Sequence, residues 1–310
     1  MRKCVIIYNP ESGYKKNKIN IKNVEEILNK YNYSATFIKT KKKGDAKEII
    51  AKLDKADLVI CAGGDGTLNE AVSGNLQRDK KLLLSHLPIG TVTDVGRLYG
   101  FTKNTNDDLK LMLNGDKKNI DVCLINNNPF LYVACLGNYT NIAYETPRGL
   151  KKKFGKFGYF IFALRSIGQK IKRYHIKYII DGKTYEGKFS FIFITNSSRV
   201  AGVNNIYDDV KLDDNMFEVA LCDVKSKRRI IKTFYEIKTK DVKDVSNIKY
   251  YRTDNLKIIF EDNLNDSWCI DGEELKHHSK EFTFGVDKSC YMLLPKANVD
   301  KLFNNQEDMK

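Results

Sequence analysis

Residues 63–70 read Gly-Gly-Asp-Gly-Thr-Leu-Asn-Glu. They follow an apolar run at Asp57–Cys61 and precede a stretch with helical spacing. Glycines let the backbone approach a ligand closely, and the N–H groups at a helix start favour anions. The segment could therefore cradle a phosphate. Thr67 and Glu70 stand at capping-box spacing, which predicts a helix starting at Thr67 and running to about Leu76. A Rossmann fingerprint would need a third glycine, and a Walker A loop would need a following Lys-Ser/Thr. Neither is present, and read alone the segment could also be a tight turn.

Two further small-residue loops follow apolar runs. Asn9-Pro10-Glu11-Ser12-Gly13 comes after Lys3–Tyr8, and Pro88-Ile89-Gly90-Thr91-Val92-Thr93-Asp94 comes after Leu82–Leu87. In an open α/β sheet, loops at the carboxyl ends of strands meet in one crevice. Three such loops make a candidate nucleotide cradle.

The elements that must position them alternate. Lys18–Tyr31 and Asp45–Leu53 carry helical stripes, and Ser34–Lys39 is strand-like. This βαβαβαβ rhythm predicts a parallel sheet covered on both faces, a Rossmann-like α/β domain. Beyond about residue 120 the pattern becomes strands. They are expected at 119–125, 130–136, 176–180, 185–196, 217–222, 256–261, 268–270, 281–284 and 291–294. Asp181-Gly182 and Asp271-Gly272 mark hairpin turns. That predicts an all-β part, an antiparallel β-sandwich, interrupted by helices at 154–173 and 226–238.

The chain has 310 residues, 42% of them hydrophobic and 30% charged, so it is globular rather than disordered. Its length favours two domains. Lys and Arg number 53 against 39 Asp and Glu, a net charge of +14. Such a chain expects an anionic partner: nucleic acid, a membrane surface or a phosphorylated ligand. Residues 151–173 hold eight basic residues and no acidic ones, interleaved with Phe154, Phe157, Tyr159, Phe160 and Phe162. That composition suits an anionic membrane surface, an RNA face, or a packed helix with a solvated lysine side. The cluster at Lys225–Lys232 reads more simply as solvated surface. Seven cysteines, with no CxxC pair, read as buried reduced thiols in a cytoplasmic protein. No signal peptide or bilayer-spanning run is expected.

Asn-Pro-x-Ser-Gly, Gly-Gly-Asp-Gly-Thr-x-Asn-Glu and Pro-x-Gly-Thr-x-x-Asp, in this order, resemble the diacylglycerol kinase catalytic-domain family, in particular its soluble bacterial lipid kinases. Asn119-Ile120-Asp121, Glu145-Thr146-Pro147 and Asp271-Gly272-Glu273 extend the resemblance over nearly the whole chain. It implies three parts: a nucleotide-binding domain at 1–128, a lipid-binding β-sandwich at 129–288, and a segment 289–310 returning to the first domain. It implies ATP-dependent phosphorylation of a lipid hydroxyl, diacylglycerol to phosphatidic acid, at the inner face of the membrane. Nucleic acid is not an expected partner, and a homodimer is compatible with the chain.

Carried over by position, the resemblance gives ATP contacts to Asn9, Pro10, Glu11, Ser12, Gly13, Thr40, Gly63, Gly64, Asp65, Gly66, Thr67, Leu68, Asn69 and Thr91. Glu273 matches the proton acceptor, Asp65 would sit by the transferred phosphate and its Mg²⁺, and Asp121 joins them as a catalytic position. Lys211, Asp214 and Met216 match a structural Mg²⁺ site. The chain departs from the family with Thr93 for Asn, Asn215 for Gly and Glu218 for Asp. Asn tolerates the left-handed conformation, so the turn at 215 is expected to survive. An NAD kinase, which shares Gly-Gly-Asp-Gly, and a non-catalytic lipid-binding protein are the competing readings.

Overall fold

The computed structural model describes residues 1–12, 19–90, 93–102, 104–137, 170–197, 207 and 210–304. The chain divides into two compact units. Met1–Val122, Leu212–Asp214 and Lys288–Lys310 form the first, and Cys123–Lys211 with Asn215–Asp287 form the second.

The first unit is a parallel α/β structure. Its strands are β1 (Arg2–Tyr8), β2 (Tyr33–Lys39), β3 (Leu58–Gly63) and β4 (Leu83–Pro88), in the spatial order β2-β1-β3-β4. All three pairings are parallel. Helices α1 (Ile21–Lys30), α2 (Asp45–Lys52) and α3 (Asp65–Leu76) make the crossovers. β3 is buried along its whole length, as a strand covered on both faces must be. Two short helices missing from the sequence reading follow, α4 (Asp94–Leu98) and α5 (Thr105–Leu113). Asn104 caps α5 by accepting N–H groups of Asn106 and Asp107, a signal present in the sequence.

The second unit is antiparallel. One sheet includes β8 (Tyr174–Ile180), β9 (Lys183–Phe189), β13 (Leu256–Phe260) and residues 281–284 of β16 (Glu281–Leu294). The other runs β12-β11-β10-β7-β14-β15, made of Ile248–Thr253, Phe217–Cys222, Phe191–Thr195, Val133–Gly137, Trp268–Ile270 and Glu273–Leu275. One core joins side chains from both sheets, among them Tyr178, Ile258 and Phe282 with Ile194, Phe217 and Trp268. Each large side chain so buried contributes about 1.5–3 kcal/mol.

Several boundaries differ from expectation. The expected strand 130–136 is two strands, β6 (Asn128–Phe130) and β7, because the N–H groups between them bond to a side chain rather than to a neighbouring strand. The run 185–196 breaks at Ser190, whose hydroxyl donates to the Val224 carbonyl. Strand β12 was not anticipated, since its exposed Lys249 and Arg252 dilute the apolar alternation. The two expected strands 281–284 and 291–294 are one, whose last part pairs in parallel with β4 at Tyr291 and Met292. The expected helix 154–173 lies outside the described residues up to 169, and residues 170–173 are not helical. All seven cysteines are free and buried, as expected. Burial pushes the Cys4 and Cys222 thiols up to about 12, so both are inert.

Candidate active site

In the first unit the chain goes from β1 to β2 on one side and reaches β3 on the other. That reversal is a topological switch point, where open α/β sheets bind ligands beyond the strand ends. The loops after β1 and β3 flank it. The Asn9 N–H donates to the Ala62 carbonyl at 3.0 Å, and the Thr40 N–H at the end of β2 donates to the Tyr8 carbonyl at 3.0 Å. Asn9 also shapes its own loop, since its side-chain oxygen accepts the Glu11 N–H at 2.9 Å. This is a local Asx turn. The loop after β4 joins through Ile89 and Gly90, whose N–H groups both donate to the Gly63 carbonyl at 3.1 and 3.2 Å.

Gly63 and Gly90 are sterically required. A Cβ on Gly63 would stand 2.4 Å from the Thr67 hydroxyl, and one on Gly90 would stand 2.7 Å from Gly64 Cα. At Gly90 backbone meets backbone, whereas at Gly63 the Thr67 side chain fills the space a Cβ would take.

Helix α3 begins two residues before the sequence reading placed it. Gly64 is its cap and Asp65 its first residue, so Thr67 is inside the helix and the capping box does not form. Glu70 instead accepts the N–H groups of Gly44 and Ala46, tying α3 to the start of α2. A carboxylate at the first helical position is favoured by the helix dipole. Asp65 is buried and also accepts the Asp94 N–H at 2.8 Å, at the start of α4. Asp94 is buried as well, so two acidic residues meet through this bond. Such oxygen donors suit Mg²⁺, which is usually held by one or two carboxylates together with substrate phosphates. Among the described residues no group of three or more His, Cys, Asp or Glu forms a self-sufficient metal cage.

His86 was missed as a site residue. It lies in β4, fully buried, with Nε2 placed 3.4 Å from the Gly63 carbonyl, directly supporting the glycine loop. Burial holds its pKa down at about 4, against a smaller upward pull from that carbonyl. The imidazole is therefore neutral at pH 7. Its lowered pKa means the unfolded chain binds the extra proton first. The stability it contributes is full above pH ~6.5 and is lost as pH falls through about 4. Up to about 3 kcal/mol is at stake. Urea unfolding at pH 7 and pH 4.5 is expected to show a smaller acid loss for His86→Gln than for the wild type. Equal losses would refute the assignment.

The other candidate residues stand as follows. Asp121 is buried in β5 (Asp116–Ile125), and its N–H donates to the Leu212 carbonyl. Asp214 lies in the bend at 212–215, with Lys211 and Met216 at its two ends, and Asn215 takes φ 62°. The left-handed turn therefore survives the Gly-to-Asn departure. Glu218 lies in β11, buried and 3.8 Å from Arg252. Gly13, Thr91 and residues 145–147 lie outside the described residues.

Glu273 belongs to the second unit. It is the first residue of β15, after a two-residue turn in which Asp271 and Gly272 take φ 48° and 85°. Asp-Gly is the preferred sequence for such a turn. Asp271 is buried and accepts the N–H groups of Leu131, Tyr132 and Val133 at 2.7, 3.0 and 3.1 Å. The hairpin is thereby fixed, and Glu273 stands exposed on it.

A parallel α/β unit with a glycine loop at its switch point, followed by an antiparallel β unit, defines a two-part α/β–β class of protein. Residues 3–125 match the family model described as the diacylglycerol kinase catalytic domain. Diacylglycerol kinases of Staphylococcus aureus strains bovine RF122 / ET3-1 and MRSA252 are each 32% identical over 222 residues, 71% of this chain and 70% of theirs. The crystal structure of a diacylglycerol kinase from Bacillus anthracis str. Sterne shares the fold. It has a TM-score of 0.77 and 24% identity, over 96% of this chain and 99% of that one. The chain belongs to the diacylglycerol kinase family, a family of lipid kinases.

Proposed function

We propose that the protein is an ATP-dependent lipid kinase that converts diacylglycerol to phosphatidic acid. The observation that carries this reading is the convergence of three loops at the switch point, with Asp65 fixed by the Asp94 amide. In the proposed reaction the lipid hydroxyl oxygen forms a bond to the γ-phosphorus. The bond from that phosphorus to the β–γ bridging oxygen breaks, ADP leaves, and the hydroxyl proton passes to the Glu273 carboxylate. Phosphoryl transfer of this kind depends on positioning and charge neutralisation.

The loop residues Asn9 to Gly13, Thr40, Gly63 to Asn69 and Thr91 hold the nucleotide on this reading. Asp65 orients the phosphates together with a bound Mg²⁺, which would neutralise their charge, and Asp121 supports that end. Lys211, Asp214 and Met216 would hold a second, structural Mg²⁺. The second unit takes the lipid, and the basic-aromatic stretch 151–173 meets an anionic membrane surface. Within that stretch Arg173 already forms a two-point ion pair with Asp223. Among the described residues no helix is long and apolar enough to cross a membrane.

Transfer of ³²P from ATP to diacylglycerol, ceramide and sphingosine in mixed micelles tests the assignment, with NAD⁺ as a further acceptor. Labelled phosphatidic acid is the expected product. Labelled NADP⁺, or no labelled acceptor from folded protein, would overturn it.

A further inference from the structure

The second unit contains an open cavity of about 650 Å³. Three separate segments line it: the end of β9, the stretch from Asp223 into helix α6 (Lys227–Thr239), and the approach to β12 at 246–249. Between them they bring four cationic side chains to one cavity, Lys188, Lys225, Arg229 and Lys249. The single acidic lining residue, Asp223, is engaged by the Arg173 guanidinium through two bonds of 2.8 Å. The charge facing the cavity is therefore strongly positive.

A second observation concerns the helix that supplies part of the lining. Helix α6 opens with Lys227-Arg228-Arg229 and has no acidic residue in its first turn. Cations there oppose the helix dipole, so the sequence works against its own local structure. Such local conflicts are expected where function compensates for them. An anion at this place would offset both the dipole and the crowded cations. The polar groups beside the cations suit an oxyanion. Arg229 is held by the Ser246 hydroxyl at 2.9 Å, and Ser226 caps the helix through the Arg229 N–H.

We propose that this cavity binds a phosphate-bearing anion. A tetrahedral phosphate offers several acceptor oxygens to donors arriving from three sides, and arginine with lysine is the usual pairing for it. The volume leaves room for more than a bare ion, as in a phosphorylated headgroup. The site lies wholly within the second unit and stands without the kinase assignment.

The test uses the full chain and two probes. One is inorganic phosphate, followed by calorimetry. The other is flotation with vesicles of phosphatidylcholine alone or mixed with phosphatidylglycerol. The double variant Lys188→Gln/Lys249→Gln removes two cavity cations, both exposed and on strand or strand-edge positions. Lys177→Gln/Lys183→Gln removes the same charge elsewhere in the second unit. The cavity pair is expected to weaken binding about tenfold and the control pair to leave it unchanged. Phosphate binding without vesicle binding would assign a soluble phosphate ligand. Cavity-dependent binding to phosphatidylglycerol vesicles would assign a lipid headgroup. No binding of either probe, or equal behaviour of the two pairs, would overturn the site.

Discussion

Glu273→Gln is expected to lower kcat for lipid phosphorylation by about 10²–10⁴-fold, the usual contribution of a positioned general base. Glutamine keeps the length and shape of the side chain but cannot take up the hydroxyl proton. The hairpin that presents it does not depend on the carboxylate. Its turn is set by Asp271 and Gly272, and its anchorage by the three amides that Asp271 accepts. Because Glu273 is exposed, the change in stability should stay within about 0.5 kcal/mol. KM for ATP should also hold, since the loops around Gly63 belong to the other unit. Steady-state kinetics at saturating ATP, with a thermal melt of the same sample, separate these quantities. A variant with near wild-type kcat would remove Glu273 from the chemistry.

Asp65→Asn should be nearly as damaging to turnover, and for a different reason. Asparagine retains an oxygen that can accept the Asp94 N–H, so the link between α3 and α4 can persist. What goes is the negative charge that would meet the metal and phosphates. Loss of one preorganised electrostatic contact of this kind costs about 10²–10³-fold in kcat. Stability should move by no more than about 1 kcal/mol. The favourable charge at the start of α3 is lost, but crowding of two buried acidic residues is relieved. Activity falling in parallel with a collapse of the melting temperature would mean that Asp65 is structural rather than functional.

The glycine loop was legible because its chemistry is local. Gly63, Gly64 and Gly66 follow a buried apolar run, and that order can be read without coordinates. The start of the helix was misread for the same reason. Thr67 and Glu70 fit a capping box by spacing, yet Glu70 has the amides of Gly44 and Ala46 available, a partner 24–26 residues away. His86 left no trace in its spacing. A histidine in an apolar strand becomes a support of the loop only when β4 lies beside β3 and brings it under the Gly63 carbonyl. That Lys188 and Lys249 line one cavity with Lys225 and Arg229 is not readable from the run at 225–232, because three segments distant in the chain must pack together to form it.

Local patterns along the chain suffice for the alternation that makes a parallel sheet, the Asp-Gly hairpins, the three small-residue loops and the family to which they point. Each depends on residues within one or two turns of chain, where backbone preferences act directly. Which carboxylate faces which amide, why 130–136 is two strands, and where the positive charges gather follow from long-range packing. Those outcomes depend on partners far apart in the chain: Asp271 with Leu131, Asp65 with Asp94, Lys188 with Lys249. A buried polar group must be satisfied by whatever the fold brings to it, and one-dimensional spacing does not carry that information.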